Sequence, residues 1–262
     1  MMVKFTHYLV TRFNVPVDNW NRDKTGQPTL DGTWMRHRLD LFNRYCVPTI
    51  SGQTEKNFHW VIYCDIHTFT ADKQQIEESV KMIPGAKIRL VPDHSEMLSD
   101  LKKLISNQLA PYVITTRLDN DDGLGNNFMQ HVQDHFKEAD KLLLNPSGGI
   151  VYDVHEKVMT QIKKSQHNHY TSLVEKNNGD GKLLTVLGFP HDHPPSDIII
   201  ENIPGERSWL KIIHKKNIKS KLKGKPFFKR KEIYFEGISN EAFPFSFLNT
   251  MKYTLKRIRQ KF

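Results

Sequence analysis

The chain has 262 residues, 38% of them hydrophobic and 26% charged, which is typical of a soluble globular protein, and it carries a formal net charge of +9. Its apolar runs are all shorter than the roughly 20 residues that a membrane-spanning helix needs, and its first residues lack the pattern of a signal peptide. The two cysteines, Cys46 and Cys64, have no redox or metal-binding spacing, so a reducing, cytoplasmic setting is expected.

The first half of the chain alternates between strand and helix patterns. Apolar, β-branched runs predict strands, and apolar residues at helical spacing predict helices. Four strand–helix units are predicted, at residues 7–14 with 34–50, 58–65 with 71–83, 87–91 with 95–109, and 112–118 with 126–139. Pro48 is expected to end the first of these helices. Such alternation predicts an α/β fold with a mostly parallel sheet flanked by helices, in which ligands bind beyond the carboxyl ends of the strands.

The alternation breaks beyond Lys141. Short strands are predicted at residues 141–145 and 149–153, and two more that are expected to pair with each other at 158–164 and 170–174. A proline-stiffened loop follows at 191–197 and a short apolar run at 209–214. No internal repeat or linker is evident, so we predict one domain over residues 1–240 with a less regular second half, followed by a helix over residues 241–262.

The fourth predicted strand ends in a cluster of carboxylates. Residues 112–122 read YVITTRLDNDD, so that Arg117 is followed by Asp119, Asp121 and Asp122. Clustered carboxylates repel one another unless a cation lies among them. Oxygen ligands at such a strand end suit a hard divalent ion, Mg²⁺ or Mn²⁺, that also holds a diphosphate, and this indicates nucleotide-sugar chemistry. The alternative is a solvated, Asp-rich turn.

The tract TTRLDNDDGLGNNF, with RLDLFNRYCVPTISGQTEKNFHWVIYCD before it, resembles the putative rhamnosyltransferase family of bacterial glycosyltransferases. The resemblance extends over about residues 7–217. It implies a GT-A-like fold whose irregular half faces the acceptor. It also implies metal-dependent transfer of a sugar, rhamnose by the family's name, from a nucleotide-sugar donor to a cell-surface polysaccharide or a lipid-linked acceptor.

The resemblance also implies roles for individual residues. Asp119 and Asp121 would hold the metal ion, Mn²⁺ or Mg²⁺, and the diphosphate, with His214 as a third metal ligand. Asp65, at the end of the second predicted strand, would contact the base or ribose of the donor, and Arg117 would contact a phosphate. Each has a structural alternative: a helix cap for Asp65, charge compensation of Asp119 for Arg117, and a surface position for His214.

An inverting transfer needs a general base that takes the proton of the acceptor hydroxyl. The candidates are Asp192, Asp197 and Glu175. We favour Asp192 because it lies between two histidines in the loop that prolines stiffen, although it could equally be an ordinary turn carboxylate.

The positive charge is concentrated at the C-terminus. Residues 211–262 hold 15 Lys and Arg against three Glu, whereas the rest of the chain holds 23 basic and 26 acidic residues. Apolar and basic side chains at helical spacing over 243–262 are typical of an amphipathic helix on an anionic membrane, so peripheral contact with the inner face of the cell membrane is expected. The alternative is a terminal helix that docks its apolar face on the body of the protein.

Two other functions stay open. The acidic cluster and the basic tail would also suit a nucleic-acid-binding protein or nuclease. The body of the chain lacks the interleaved aromatic and basic residues of such proteins, so no nucleic acid is expected as a partner. The other alternative is a non-catalytic module on a membrane surface with a degenerate acidic cluster.

Overall fold

The structure is a computed structural model that describes residues 3–17, 30–166, 168–217, 220–228, 235 and 237–259. Within these ranges the helices are α1 (Gly32–Leu41), α2 (Val47–Ser51), α3 (Thr70–Val80), α4 (His94–Ser106), α5 (Phe128–Asp134) and α6 (Phe247–Arg259), with a π turn at Phe42–Cys46 and a 3₁₀ turn at Asn240–Ala242. The strands are β1 (Phe5–Arg12), β2 (His59–Asp65), β3 (Ala86–Val91), β4 (Tyr112–Arg117), β5 (Gly123–Leu124), β6 (Leu142–Pro146), β7 (Gly149–Asp153), β8 (Val158–Ile162), β9 (Ser172–Lys176), β10 (Ile199–Ile203), β11 (Trp209–Ile213) and β12 (Lys225–Pro226).

The larger sheet has the strand order β10–β6–β9–β4–β1–β2–β3 in the described part of the chain. Strands β3, β2, β1 and β4 run parallel to one another, and so do β10 and β6. Strand β9 lies between β4 and β6 and is antiparallel to both. The predicted α/β fold with a mostly parallel sheet flanked by helices is confirmed, and the four parallel strands bring their carboxyl ends to one edge.

A smaller sheet has the order β12–β8–β7–β11–β5, and all of its strands except β5 come from the less regular second half. The predicted pairing of residues 158–164 with 170–174 is wrong, because β8 pairs with β7 in this sheet and β9 belongs to the larger one. Strand β9 lies between β4 and β6, where its apolar residues Leu173 and Val174 are completely buried. The short strand β5 joins β11 to the loop that follows β4 and so connects the two sheets.

Helix α4, which flanks the larger sheet, begins at a side-chain cap. Asp93 accepts a hydrogen bond from the backbone N–H of Glu96 at 2.9 Å and so satisfies one of the unpaired donors at the start of α4. Met97, Leu101 and Ile105 then follow at four-residue spacing and are completely buried against the sheet. The helix predicted at residues 95–109 therefore forms as α4, because its cap satisfies the first turn and its apolar face is buried against the sheet.

The prediction that Pro48 ends the first helix is wrong, because the chain stays helical through α2. Proline removes one N–H and clashes with the carbonyl four residues earlier, so it is excluded from a regular helix interior. Here the π turn precedes it, and the N–H of Val47 donates to the carbonyl of Phe42 instead. The hydroxyl of Thr49 bonds the carbonyls of Tyr45 and Cys46, at 3.1 and 2.8 Å. The widened turn thus accommodates the proline and keeps α1 and α2 in one packed segment.

The predicted C-terminal helix is present as α6, which begins later than residue 241, at Phe247. It contacts β8 and β12 of the smaller sheet. The division into units at residue 240 stays a prediction, and residues 260–262 lie outside the described part of the chain. Across the described residues, no helix is both long and apolar enough to cross a membrane.

Gly149→Ala should destabilise the fold. A Cβ at Gly149 would lie within 2.1–2.4 Å of three ring atoms of Trp209, which is fully buried and donates its Nε1–H to the carbonyl of Pro146. Overpacking of this kind costs about 1–3 kcal/mol of unfolding free energy, measured by urea denaturation. Gly32→Ala is the matched control, because its nearest contact is the flexible Arg36 side chain at 3.8 Å. Equal stability of the two variants would contradict the packing described here.

Candidate functional site

The predicted site lies where the central parallel strands end. The loop at 118–122 follows β4, residues 13–14 follow β1, and Asp65 is the last residue of β2. Asn120 donates through Nδ2 to the carbonyl of Phe13 at 3.0 Å, so the acidic loop is fixed to the neighbouring strand. Ligands of open α/β sheets bind at this edge.

Asp121 is buried and fully engaged at one oxygen. Its Oδ2 accepts from three donors: Arg38 Nη1 at 2.5 Å, His214 Nε2 at 2.8 Å and Asn217 Nδ2 at 3.3 Å. Burial alone would raise the pKa of this carboxyl group, but the positive charge of Arg38 and the hydrogen bond from His214 outweigh it, and the pKa is lowered. Asp121 is therefore a carboxylate inside the protein.

His214 lies in a chain of two imidazoles. Its Nε2 faces Asp121, and its Nδ1 is 3.2 Å from Nε2 of His37. Burial, and next the neighbouring His214, lower the pKa of His37 to about 4, so His37 is neutral at pH 7. Since the carboxylate of Asp121 only accepts, Nε2 of His214 carries a proton, and the Nε2–H of neutral His37 can donate to Nδ1 of His214.

Asp119 lies at the margin of the same site and is partly exposed. Both Nε and Nη2 of Arg117 contact its Oδ1, at 3.3 and 3.2 Å. Burial would raise the pKa of Asp119, but Arg117, then His169 and Arg12, lower it. Two arginines, Arg117 and Arg12, therefore compensate the single negative charge of this carboxylate.

A histidine–lysine pair lines this basic region. Nζ of Lys211 is 2.9 Å from Nε2 of His169, and the rings of His169 and His191 have centroids 3.8 Å apart. Burial, and next Lys211, lower the pKa of His169 to about 3. Since an ammonium group only donates, His169 Nε2 accepts and its Nδ1 carries the proton. Among the described residues this buried N–H has no partner.

Asp122 supports the fold. Its Oδ1 accepts from the N–H of Ile212 at 2.7 Å and its Oδ2 from the hydroxyl of Tyr170 at 2.8 Å. Burial, and next the charge of Asp121, raise the pKa of Asp122 well above its usual range. It connects the acidic loop to β11 and to the stacked rings of Tyr170 and Trp209, so it is a structural group and not a ligand.

Asp65 is placed at the expected edge, at the end of β2, with β1 between that strand and β4. The Oδ1 atom of Asp65 accepts a hydrogen bond from the N–H of His67 at 2.8 Å. The backbone N–H of Asp65 donates to Oδ1 of Asn14 at 3.1 Å. Helix α3 begins only at Thr70, with Phe69 as its N-cap residue, so the alternative of a helix cap is excluded. Contact with a nucleotide stays a prediction for Asp65.

The three candidates for the general base have different surroundings. Glu175 is buried and accepts from the N–H groups of two residues in the 184–185 turn, which makes it a structural anchor. Asp197 is exposed and paired with Lys141. Asp192 is exposed, and its Oδ1 lies 3.1 Å from Nδ1 of His193, a contact that lowers its pKa. The 191–197 loop reaches the site through the ring contact of His191 with His169, and the role of Asp192, the next residue in the chain, stays a prediction.

The predicted metal ligands are only partly brought together. Asp121 and His214 present an oxygen and a nitrogen 2.8 Å apart, which is compatible with two ligands of one ion, and His37 orients the imidazole from behind. However, Arg38 already contacts the same oxygen of Asp121, and within the described ranges no three His, Cys, Asp or Glu side chains converge on one point. The pair fits a divalent ion provided that Arg38 shares or gives up that oxygen.

A family model described as "Putative rhamnosyl transferase" matches residues 6–226, most of the chain. The chain belongs to this family. The resemblance stated from the sequence is thereby confirmed, and with it the expectation of a glycosyltransferase family. No curated protein matches the chain.

The chain resembles solved structures only weakly. The TarS protein of S. aureus with UDP is 10% identical, with a TM-score of 0.43, and with UDP-GlcNAc 9% identical, with a TM-score of 0.45. The matches cover 79% and 81% of this chain and 60% of the TarS fragment. Mouse xyloside xylosyltransferase 1 is 12% identical over 55% of this chain and 53% of its own, with a TM-score of 0.30.

The sequence reasoning missed the residues that surround the carboxylates. Arg38 and His37 lie on α1, far from the acidic cluster in the chain, and a basic residue on a helix usually indicates a solvated face. The one signal was the position of Arg38 at the start of the tract that carries the family resemblance. Asn217 and His169 carried no signal.

Replacing Asp122 will show its structural role. In Asp122→Ala the buried N–H of Ile212 and the hydroxyl of Tyr170 lose their acceptor, and each such group costs about 1–3 kcal/mol of unfolding free energy. Asp122→Asn keeps an acceptor for Ile212 and should be much closer to wild type in urea denaturation. If the Asn variant loses nucleotide binding at full stability, Asp122 is a ligand and this interpretation is wrong.

Proposed function

We propose that this member of the rhamnosyltransferase family transfers a sugar from a nucleotide-sugar donor to a glycan or lipid-linked acceptor. The observation that carries the proposal is the positive charge at the carboxyl edge of the parallel sheet, with Arg117 and Arg12 beside Asp119 and Lys211 beside His169. A diphosphate is the anion that such a site would neutralise. Rhamnose as the sugar rests on the family's name.

In the proposed reaction the acceptor oxygen attacks the anomeric carbon as the bond from that carbon to the diphosphate breaks. The leaving diphosphate takes the bonding electrons, and fixed positive charges stabilise it. Arg117 and Lys211 would supply them, because both lie close enough to His169 to influence its pKa. Asp65 would hold the ribose or base, and Asp192 would take the proton of the acceptor hydroxyl.

A divalent ion, Mn²⁺ or Mg²⁺, belongs to the proposal, with Asp121 and His214 as its protein ligands and Asp119 beside them. It would supply further positive charge for the leaving diphosphate. Arg38 already places a positive charge at the carboxylate of Asp121, where the ion would bind. The relation between Arg38 and the ion is therefore the point to test.

The family assignment argues against the alternative of a nuclease or nucleic-acid-binding protein. Membership of this family does not require the basic C-terminal segment to bind nucleic acid. For a lipid-linked acceptor we propose instead peripheral contact with the inner face of the cell membrane, through the anionic lipids of that leaflet.

Donor binding is tested by calorimetry with UDP, dTDP and GDP, each with and without Mn²⁺. At least one should bind, and Arg117→Gln and Lys211→Gln should each weaken it about 10-fold to 100-fold, since charged hydrogen bonds contribute about 1.5–3 kcal/mol. Arg36→Gln, an exposed arginine on α1, is the control and should bind normally. Absence of binding to every nucleotide, or equal binding by all variants, would remove the basis of the proposed function.

The metal site is tested by titrating Mn²⁺ into the protein and following free Mn²⁺ by electron paramagnetic resonance. Arg38→Gln should bind Mn²⁺ at least about 10-fold more tightly, because a positive charge within about 5 Å of a divalent ion costs more than 1 kcal/mol even in water. His214→Gln should bind it more weakly, and Arg36→Gln should match wild type. If Arg38→Gln and His214→Gln leave the affinity unchanged, the ion does not bind at Asp121.

A further inference from the structure

Helix α6 exposes large apolar side chains along one side. Five of them, between 38% and 64% exposed, are Phe247, Leu248, Met251, Leu255 and Ile258. At about 100° per residue they fall within an arc of about 100° on the helix surface. Phe228, 44% exposed, extends this patch through a ring contact with Phe247 at 6.1 Å.

This apolar stripe is not the face by which α6 docks on the body. The docked face holds Thr250, which is completely buried, and Tyr253, whose hydroxyl lies 3.4 Å from the carbonyls of Leu222 and Gly224. Arg257 also donates to the carbonyl of Gly224. The helix is therefore already fixed to the smaller sheet, and the stripe beside the docked face is left in solvent.

Basic side chains border the stripe on its other side. Lys252, Lys256 and Arg259 are exposed and follow the apolar arc around the helix, and α6 contains no acidic residue. On the adjoining segment three further lysines, Lys221, Lys223 and Lys225, are exposed. Apolar and cationic groups thus lie next to each other on the exposed surface of α6.

We propose that this side of α6 lies on an anionic lipid bilayer, with the stripe among the acyl chains and the basic border at the headgroup phosphates. A second copy of the chain is a poor occupant, because facing copies would bring the basic borders together. Nucleic acid would suit the cations but leave the stripe exposed. The inference assigns the proposed membrane contact to a definite surface. It rests on the proposed function in one respect only, because a lipid-linked acceptor is what would make the contact useful to the enzyme.

The full chain is tested by flotation with vesicles of phosphatidylcholine alone and of phosphatidylcholine with phosphatidylglycerol. Wild type should bind the anionic vesicles at least about 10-fold more tightly, and less so as salt is raised from about 0.1 to 0.5 M. The triple variant L248S/M251S/L255S, which keeps all charges, and K252Q/K256Q/R259Q, which keeps the stripe, should each lose about 10-fold or more.

Matched controls replace equally exposed residues elsewhere: M82S/L109S/I199S for the stripe and K87Q/K103Q/K182Q for the basic border. They should bind vesicles like wild type, and all variants should keep the thermal midpoint of wild type. Equal binding to neutral vesicles, or α6 variants that bind like the controls, would overturn the proposal. The proposal would also be overturned if wild type is a dimer that does not bind vesicles and L248S/M251S/L255S is a monomer. The stripe would then be an interface between two copies of the chain.

Nucleoside diphosphate binding by the same variants separates this proposal from the proposed function. Normal nucleotide binding without vesicle binding rejects the membrane surface alone. Vesicle binding in a protein that binds no nucleotide rejects the transferase alone.

Discussion

The structure around the candidate site depends on the compensation of two buried carboxylates that are adjacent in the chain, Asp121 and Asp122. A buried carboxylate without a partner costs several kcal/mol or loses its charge, so each one constrains what packs beside it. Asp121 keeps its charge because Arg38 reaches it from α1 and His214 from the end of β11. Asp122 instead has a raised pKa and is held by neutral groups. The acidic loop thereby fixes the relative positions of α1, β4 and β11.

The same constraint connects the core to the chemistry. The π turn before Pro48 keeps α1 and α2 in one helical segment, and this segment carries Arg38 into the site. On the other side, Tyr170 bonds Asp122 and stacks on Trp209 at a centroid distance of 4.9 Å. Trp209 packs against the backbone at Gly149. A change in this packing would be transmitted to the position of the acidic loop, because close-packed interiors do not absorb such shifts.

Charge is divided between two regions with different tasks. At the sheet edge, basic side chains surround carboxylates at short range, which suits a small, highly charged ligand such as a diphosphate. On α6 the basic side chains stand in solvent beside apolar ones, without acidic partners on the helix, which suits a large anionic surface. The net charge of +9 alone does not distinguish these two arrangements.

The sequence by itself determined the alternation of strands and helices, the carboxyl edge of the sheet and the importance of the acidic cluster, because these follow from local periodicity and from residue types that are adjacent in the chain. It also predicted the amphipathic C-terminal helix. Only the tertiary structure decided that Arg38 and His37 face Asp121 and His214, that β8 and β9 lie in different sheets, and which side of α6 docks. The reason is that each of these depends on contacts between residues far apart in the chain, and a basic helix residue or a short apolar strand has the same local pattern whichever partner it meets.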